Sequence, residues 1–286
     1  MKRFYRMVRS DISQGIFCGY LKYIVVFIIS LIFTQNYFAK IENYIANGKI
    51  AGGVSIFDLL IYFFKGMKEY IPASNKSFEI PVEFLLLNIL LAIIIGNYPM
   101  KDINGYGRTV LVRSYTRLSW WFSKCIWNVL SVITFYVAIY IGIIVIYAAH
   151  GGLSNGIRCM LNADLMSVIF GVDLGNVNNS VLMITIIVLP IISSIAISML
   201  QMTLAFYLNP IVSYVIIIAM YIFSAFYMKW FMMGNFMMMY RNEFINHKGM
   251  HLGISLIVDA GVAIISIVAG YLYFRRYDVL DRDNDI

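Results

Sequence analysis

The sequence predicts an all-α integral membrane protein with six transmembrane helices, both termini cytosolic, and a basic amphipathic helix on the inner interface ahead of the first span. Three observations predict this class. The chain is 61% apolar and only 13% charged, with a mean hydropathy of +0.78; a soluble domain carries about a quarter charged residues. Six stretches are apolar over a length that crosses a hydrocarbon core of roughly 30 Å at 1.5 Å per residue. Lys and Arg concentrate in the N-terminal segment and in the loop after the second apolar stretch, which puts both on the inner side. All 286 residues are read as one transmembrane domain, too short for six spans plus a soluble domain of about 100 residues.

The first element, residues 1–19, places Phe4, Met7, Val8 and Ile12 on one helical face and Lys2, Arg3, Arg6 and Arg9 on the other. That is the pattern of a helix lying in the headgroup layer. The net charge of +7 is accounted for by such surfaces facing anionic lipid, and no nucleic-acid-binding pattern accompanies it. The spans are expected at Tyr20–Phe38, Val82–Tyr98, Ile126–Ala148, Val181–Phe206, Ile211–Met228 and Leu252–Phe274. The first follows a basic stretch and lacks a small-residue cleavage site, so it reads as a retained span. Pro190 inside the fourth predicts a kink. Leu208-Asn209-Pro210 is a tight turn that makes the fourth and fifth spans antiparallel neighbours.

Between the second and third spans, residues 99–125 form a cytosolic region. If helical over 108–124, it sets Leu111, Tyr115, Leu118 and Phe122 on one stripe, and Arg113, Arg117, Trp120 and Lys124 on the other. The apolar stripe is expected against the bundle and the basic stripe against phosphates or a protein. Gly105 and Gly107 give a tightly turned entry. Two outer pieces, 54–67 and 157–170, are amphipathic but too short to span. The Met-rich run 229–244 reads as outer-interface packing or as a re-entrant turn, which membrane depth tolerates only inside protein or beside water.

Chemistry-bearing patterns are few. There is no phosphate-cradling Gly-rich loop, nucleophile elbow or zinc-protease helix, so no enzymatic activity is expected of the chain. Cys18, Cys125 and Cys159 are scattered and read as small apolar residues. His247 and His251 have i, i+4 spacing with Gly249 between them, which reads as a helix start more than as a metal site. Within the spans, Gln201 and Asp259 are the notable polar groups. Asp259 is expected to be shallow and hydrated, or hydrogen-bonded between helices.

The segment NYPMKDINGYGRTVLVRSYTRLSWWFSKCIW, residues 97–127, together with the ending GYLYFRRYDVLDRD, the basic N-terminal helix, six spans and the tight fourth-to-fifth turn, resembles the membrane subunit of bacterial ABC transporters of the ABC-2 (type V exporter-like) class. The resemblance covers the whole chain in topology and about forty positions in specific residues. It implies a bacterial cytoplasmic membrane location and pairing with a second permease chain, identical or related. It also implies docking of separate ATP-binding subunits, which would hold ATP and Mg²⁺, with no cofactor in this chain. Closure of those subunits would act through Tyr106, Gly107, Arg108, Arg113, Arg117, Trp120 and Lys124. The second and fifth spans would line the path, offering Asn88, Ser213, Tyr214, Tyr221 and Ser224 to an amphipathic peptide, antibiotic or lipid-like cargo. The alternative is a membrane component of a sensing or immunity complex that couples to a cytosolic partner without net transport.

Overall fold

The computed structural model describes residues 2–49, 54–70, 81–96, 98–105, 107–108, 111, 116–152, 163–171, 179–246 and 248–276. Among these residues every regular element is helical, and the only strand-like pairing is a single bridge between Asn242 and Met250. The helices are α1 (Lys2–Ile12), α2 (Tyr20–Ala46), α3 (Ile56–Phe63), α4 (Val82–Gly96), α5 (Tyr98–Ile103), α6 (Arg117–Ala149), α7 (Ala163–Phe170), α8 (Asn179–Met183), α9 (Leu189–Tyr207), α10 (Pro210–Phe226) and α11 (Leu252–Arg276). Five helical stretches are long and apolar enough to cross a membrane: Tyr20–Ala46, Val82–Ile103, Arg117–Ala149, Val181–Tyr207 and Leu252–Arg276. The chain is therefore a multi-pass, all-α membrane protein. Such stretches are stable as helices because each backbone N–H and C=O is satisfied within the segment.

The fifth expected span, α10, is apolar but 17 residues long, about 25 Å. It opens with Pro210 at its first turn, where the missing N–H costs nothing. Asn209 caps it, its Oδ1 accepting from Ile211 N at 2.8 Å and Val212 N at 3.4 Å. Next to this start, Tyr207 meets Tyr273 near the end of α11, ring to ring at 4.2 Å. At its far end Met228 N donates to Glu69 Oε1 at 3.2 Å, and Phe226 meets Tyr70 edge-on. The helix runs from one end of the bundle to the other.

Two π-turns interrupt the helices. Ile184–Val188 precedes α9, whose first turn holds Pro190. Proline removes one backbone bond and the wider turn displaces others. Tyr140 donates to Ile187 O at 2.9 Å and Tyr136 to Pro190 O at 3.1 Å, so this irregular stretch is bound by hydroxyls from α6. The second π-turn, Ser13–Phe17, joins α1 to α2. Gly15 there sits so close to Trp127 that an added Cβ would lie 2.1 Å from the indole Nε1, so only glycine permits the contact.

Polar side chains knit α9 to its neighbours. Gln201 donates to Ala92 O at 2.9 Å, Thr203 to Ser266 O at 2.8 Å, and Ser198 to Asn128 Oδ1 at 2.6 Å. Each hydrogen bond replaces a polar group that would otherwise face hydrocarbon.

Of the 108–124 segment, residues 109–110 and 112–115 lie outside the described residues, and residues 117–124 are the first turns of α6, which starts at Arg117 and runs 33 residues without a break through the third span. Leu111 is buried as expected, but over 118–124 the stripes are inverted. Leu118 and Phe122 are 45% and 43% exposed, whereas Trp120 and Lys124 are 2% and 1% exposed. Of the two expectations for Asp259, the interhelical one holds: it is fully buried rather than shallow, and its Oδ2 accepts from Ser193 of α9 at 2.5 Å. Of the outer pieces, 54–67 does not lie amphipathically at a surface. A Ser55/Asp58 capping box starts α3, and Phe57 to Phe63 are all buried. Of 157–170, residues 157–162, with Cys159, lie outside the described residues, and Ala163–Phe170 forms α7.

Candidate functional site

The basic end of the bundle is organised around Lys124. Helix α6 carries Lys124 inward one turn after Trp120, and its ammonium pairs with Asp11 from α1 and with Asp102 from α5, the latter at 2.6 Å. It also lies 5.0 Å from the ring centres of Tyr98 and Trp120. Asp11 is held further by the Ser123 hydroxyl at 2.5 Å and the Tyr98 hydroxyl at 3.1 Å. Tyr98 in turn stacks on Trp127 at 4.2 Å. One lysine thus gathers three segments, α1 and α5 from 113 and 22 positions earlier in the chain and its own α6. A buried ammonium is tolerated only with such pairing. Gly107 belongs to this arrangement, because a Cβ at that position would lie 2.0 Å from Asp102 Oδ2.

The same end fastens the last helix. Arg117 Nη1 donates to the carbonyls of Phe274 at 3.3 Å and Arg275 at 2.8 Å, the orphan acceptors at the C-terminus of α11. Trp120 stacks on Phe274 at 4.6 Å, and Trp121 Nε1 donates to Ile267 O at 3.0 Å. Around this clasp, Arg6, Arg9, Lys101, Arg275 and Arg276 are exposed. One end of the molecule therefore combines a rigid, internally paired foot with a basic outer surface.

The expected coupling residues divide accordingly. Gly107, Trp120 and Lys124 are brought together in the buried cluster, and Arg117 grips α11. Arg108 is half-buried close to it. Tyr106 and Arg113 lie outside the described residues, as do the side chains of Lys2 and Arg3. Asp11, Asp102, Tyr98 and Ser123 escaped the sequence reading. Asp11 is the one acid in a basic helix, and it falls on the same side as Met7, a signal that was available.

The expected path residues lie elsewhere. Asn88 is buried and lines a cavity toward the opposite end. Ser213 and Ser224 donate to carbonyls of their own helix, Pro210 O at 2.9 Å and Met220 O at 2.7 Å. Tyr221 is buried edge-on against Phe84, and Tyr214 is half-buried nearby. Gln201 bridges α9 and α4.

At the opposite end a second cation, Arg241, was missed by the sequence reading. It is fully buried, with Nη2 donating to Ala225 O at 2.7 Å, Nη1 to Asn235 Oδ1 at 2.9 Å and Nε to Met67 O at 3.1 Å. Burial lowers its pKa to about 10, opposed by nearby Glu69, so it stays charged at neutral pH. Arg241 binds the Met-rich run to the turn after α3 and to the end of α10. Met233 to Met239 are buried in protein there. His251 pairs with Glu243, and among the described residues no three His, Cys, Asp or Glu side chains converge as a metal site would require.

No curated protein and no solved structure matches the chain. A family model described as "Protein of unknown function (DUF2705)" matches residues 62–280, which holds α4 to α11 with Lys124 and Arg241, and the chain belongs to that family.

Proposed function

We propose that the chain is the transmembrane subunit of an ATP-driven exporter of the ABC-2 kind, seated in a bacterial cytoplasmic membrane and moving an amphipathic or hydrophobic cargo. It would pair with a second permease chain and with separate ATP-binding subunits that hold ATP and Mg²⁺. The observation that carries the reading is the Lys124 clasp. An ATPase pushing on the membrane subunit needs a stiff element that passes force into the spans. The clasp joins α1 and α5 to the base of a 33-residue helix, and Arg117 and Trp120 join that base to α11.

Six crossings fit this reading. Helix α10 is short, but its two ends contact opposite ends of the bundle, and Tyr98, Lys124, Tyr207 and Phe274 gather at one of them. With six crossings, α1 and the end of α11 would lie on the basic side, which charge bias makes the cytosolic side. The docking surface would be the exposed Arg6, Arg9 and Lys101 around the clasp, with Lys124 acting from inside.

Affinity purification of the chain from native membranes tests the proposal. Recovery of a soluble ATPase, whose hydrolysis rises on reconstitution with the chain, is the expected result. Arg6→Glu with Arg9→Glu should leave insertion intact and lose the stimulation. If no nucleotide-binding protein is recovered under mild detergent, the export reading fails.

A further inference from the structure

The four tryptophans of the chain divide by place. Trp120, Trp121 and Trp127 are buried at the basic end, whereas Trp230, in the turn after α10, is 62% exposed. Phe231 beside it is 55% exposed and meets it edge-on, with ring centres 5.9 Å apart. Tyr227, just past the end of α10, is exposed as well, and so is Lys229. These side chains project from a turn that is fixed from inside. Asn235 is fully buried and donates from Nδ2 to the carbonyls of Tyr227 and Lys229, both at 3.1 Å. Its Oδ1 is held in turn by Arg241 at 2.9 Å. Met232 N closes the turn on Lys229 O at 3.1 Å, and Met228 N is tied to Glu69. Met233 to Met239 fill the interior behind it, and the aromatic pair stays outside.

We propose that this knuckle, Tyr227 to Phe231, is a phospholipid-binding anchor seated in the headgroup layer of the leaflet away from the Lys124 clasp. Its rings lie among glycerol esters and the uppermost acyl carbons, and the Lys229 ammonium lies at the phosphates. Two observations choose lipid over a protein partner. The first is continuity. Ile211, Val215, Phe223 and Tyr227 fall at multiples of four positions along one face of α10, and all are exposed. In a chain that crosses the membrane this row meets acyl chains, and the knuckle prolongs it. The second is length. Helix α10 covers about 25 Å, with the Tyr207–Tyr273 pair at its start and the knuckle at its end. Two aromatic groups set apart by that helix and its flanking turns bracket a hydrocarbon layer of roughly 30 Å. Rings carrying an N–H or O–H gather at the two edges of that layer. A span that is short for the bilayer is thereby completed by a rigid anchor at its end. Since Asn235 holds both the knuckle and Arg241, lipid steadies from outside the same run that Arg241 steadies from inside. The inference rests on the multi-pass fold and not on the export reading.

The test uses the purified full chain in phospholipid nanodiscs, without any partner. Tryptophan emission is read as the difference between wild type and Trp230→Phe, a change at an exposed ring that should leave thermal unfolding as it is. Phospholipids brominated beside the ester carbonyl, phospholipids brominated near the methyl end, and iodide in the water quench at three depths. The difference emission should lose most of its intensity to the shallow bromines and little to the deep bromines or to iodide. Phe231→Trp in the Trp230→Phe background is a second reporter and should give the same depth. Quenching dominated by iodide, or by the deep bromines, overturns the assignment. Emission that no quencher reaches means that protein covers the knuckle and overturns it too. Shallow quenching that is present with one chain in a disc and lost with two gives the face to a second copy, with the same consequence. Any of these failures, with partner-stimulated ATP hydrolysis intact, would leave the export reading standing.

Discussion

The two ends of the bundle each bury one cation and solve the problem differently. Lys124 is met by two carboxylates from two other helices, so its environment carries full opposite charge. Arg241 is met by carbonyls of Met67 and Ala225 and the amide oxygen of Asn235, so its environment is dipolar. The choice follows the side chains. An ammonium is a compact point charge that is best served by anions, whereas a planar guanidinium distributes its donors over several carbonyls at once. The basic end is therefore a charge-locked clasp, and the other end is a hydrogen-bonded plug of methionines and turns. Force applied from outside is better carried by the first.

The largest effect that would break this comparison is expected at Lys124. Lys124→Met leaves Asp11 and Asp102 buried without a cation, which costs about 3–5 kcal/mol. Thermal unfolding in nanodiscs should show a large drop, and adding Asp11→Asn with Asp102→Asn should restore most of it. A Lys124→Met chain that melts like wild type would mean that water already reaches the cluster and that it locks nothing. Next comes Arg241→Lys, which keeps the charge but cannot reach the carbonyls of Met67 and Ala225 and the Asn235 amide together. About 1–3 kcal/mol is expected from the acceptors left unmet. Proteolysis of the 229–246 run, followed by mass spectrometry, should accelerate, while the basic end stays protected.

A smaller change sharpens the account of the clasp. Gly107→Ala puts a methyl against Asp102 Oδ2, whose position is fixed by Lys124, so about 1–3 kcal/mol of overpacking is expected. In the background of Lys124→Met and Asp102→Asn, where the side chain is free to turn away, the same substitution should cost less. Additive costs in that double-variant comparison would show that Gly107 acts independently of the ion pair.

The sequence made the apolar spans legible, and the physics behind the errors is specific. Periodicity correctly separated two stripes over 118–124, Leu118 and Phe122 on one and Trp120 and Lys124 on the other. It assigned their directions by the rule for water-soluble proteins, where the apolar stripe turns inward. In a bilayer the solvent is itself apolar, so Leu118 and Phe122 face outward, while the polar stripe turns inward to find partners. The partners that decide this, Asp11 and Asp102, stand 113 and 22 positions from Lys124, beyond any local pattern. Arg241 was illegible for a related reason: its acceptors are backbone carbonyls, which every residue has. The α10 start was legible because proline and a preceding asparagine mark it locally.

Asp259 should give the smallest effect and tests the comparison between the two ends from the middle of the bundle. It is fully buried on α11, with one oxygen accepting from Ser193 and the other without a hydrogen-bond partner among the described residues. No ion pair of the kind that surrounds Lys124 joins it there. Asparagine has the same shape and can still accept from Ser193 through its own oxygen, so Asp259→Asn should change stability by less than about 1 kcal/mol. Ser193→Ala removes the single hydroxyl that meets Asp259 and should cost more than Asp259→Asn does, about 1–3 kcal/mol. In the Asn background the serine deletion should cost less, because the group left unmet is then neutral. Unfolding midpoints of the two single variants and the double variant measure this directly. If Asp259→Asn instead destabilises the protein as strongly as Lys124→Met, a cation must meet Asp259 in the membrane, and a third charge-locked point would join the α9–α11 packing to the clasp below it.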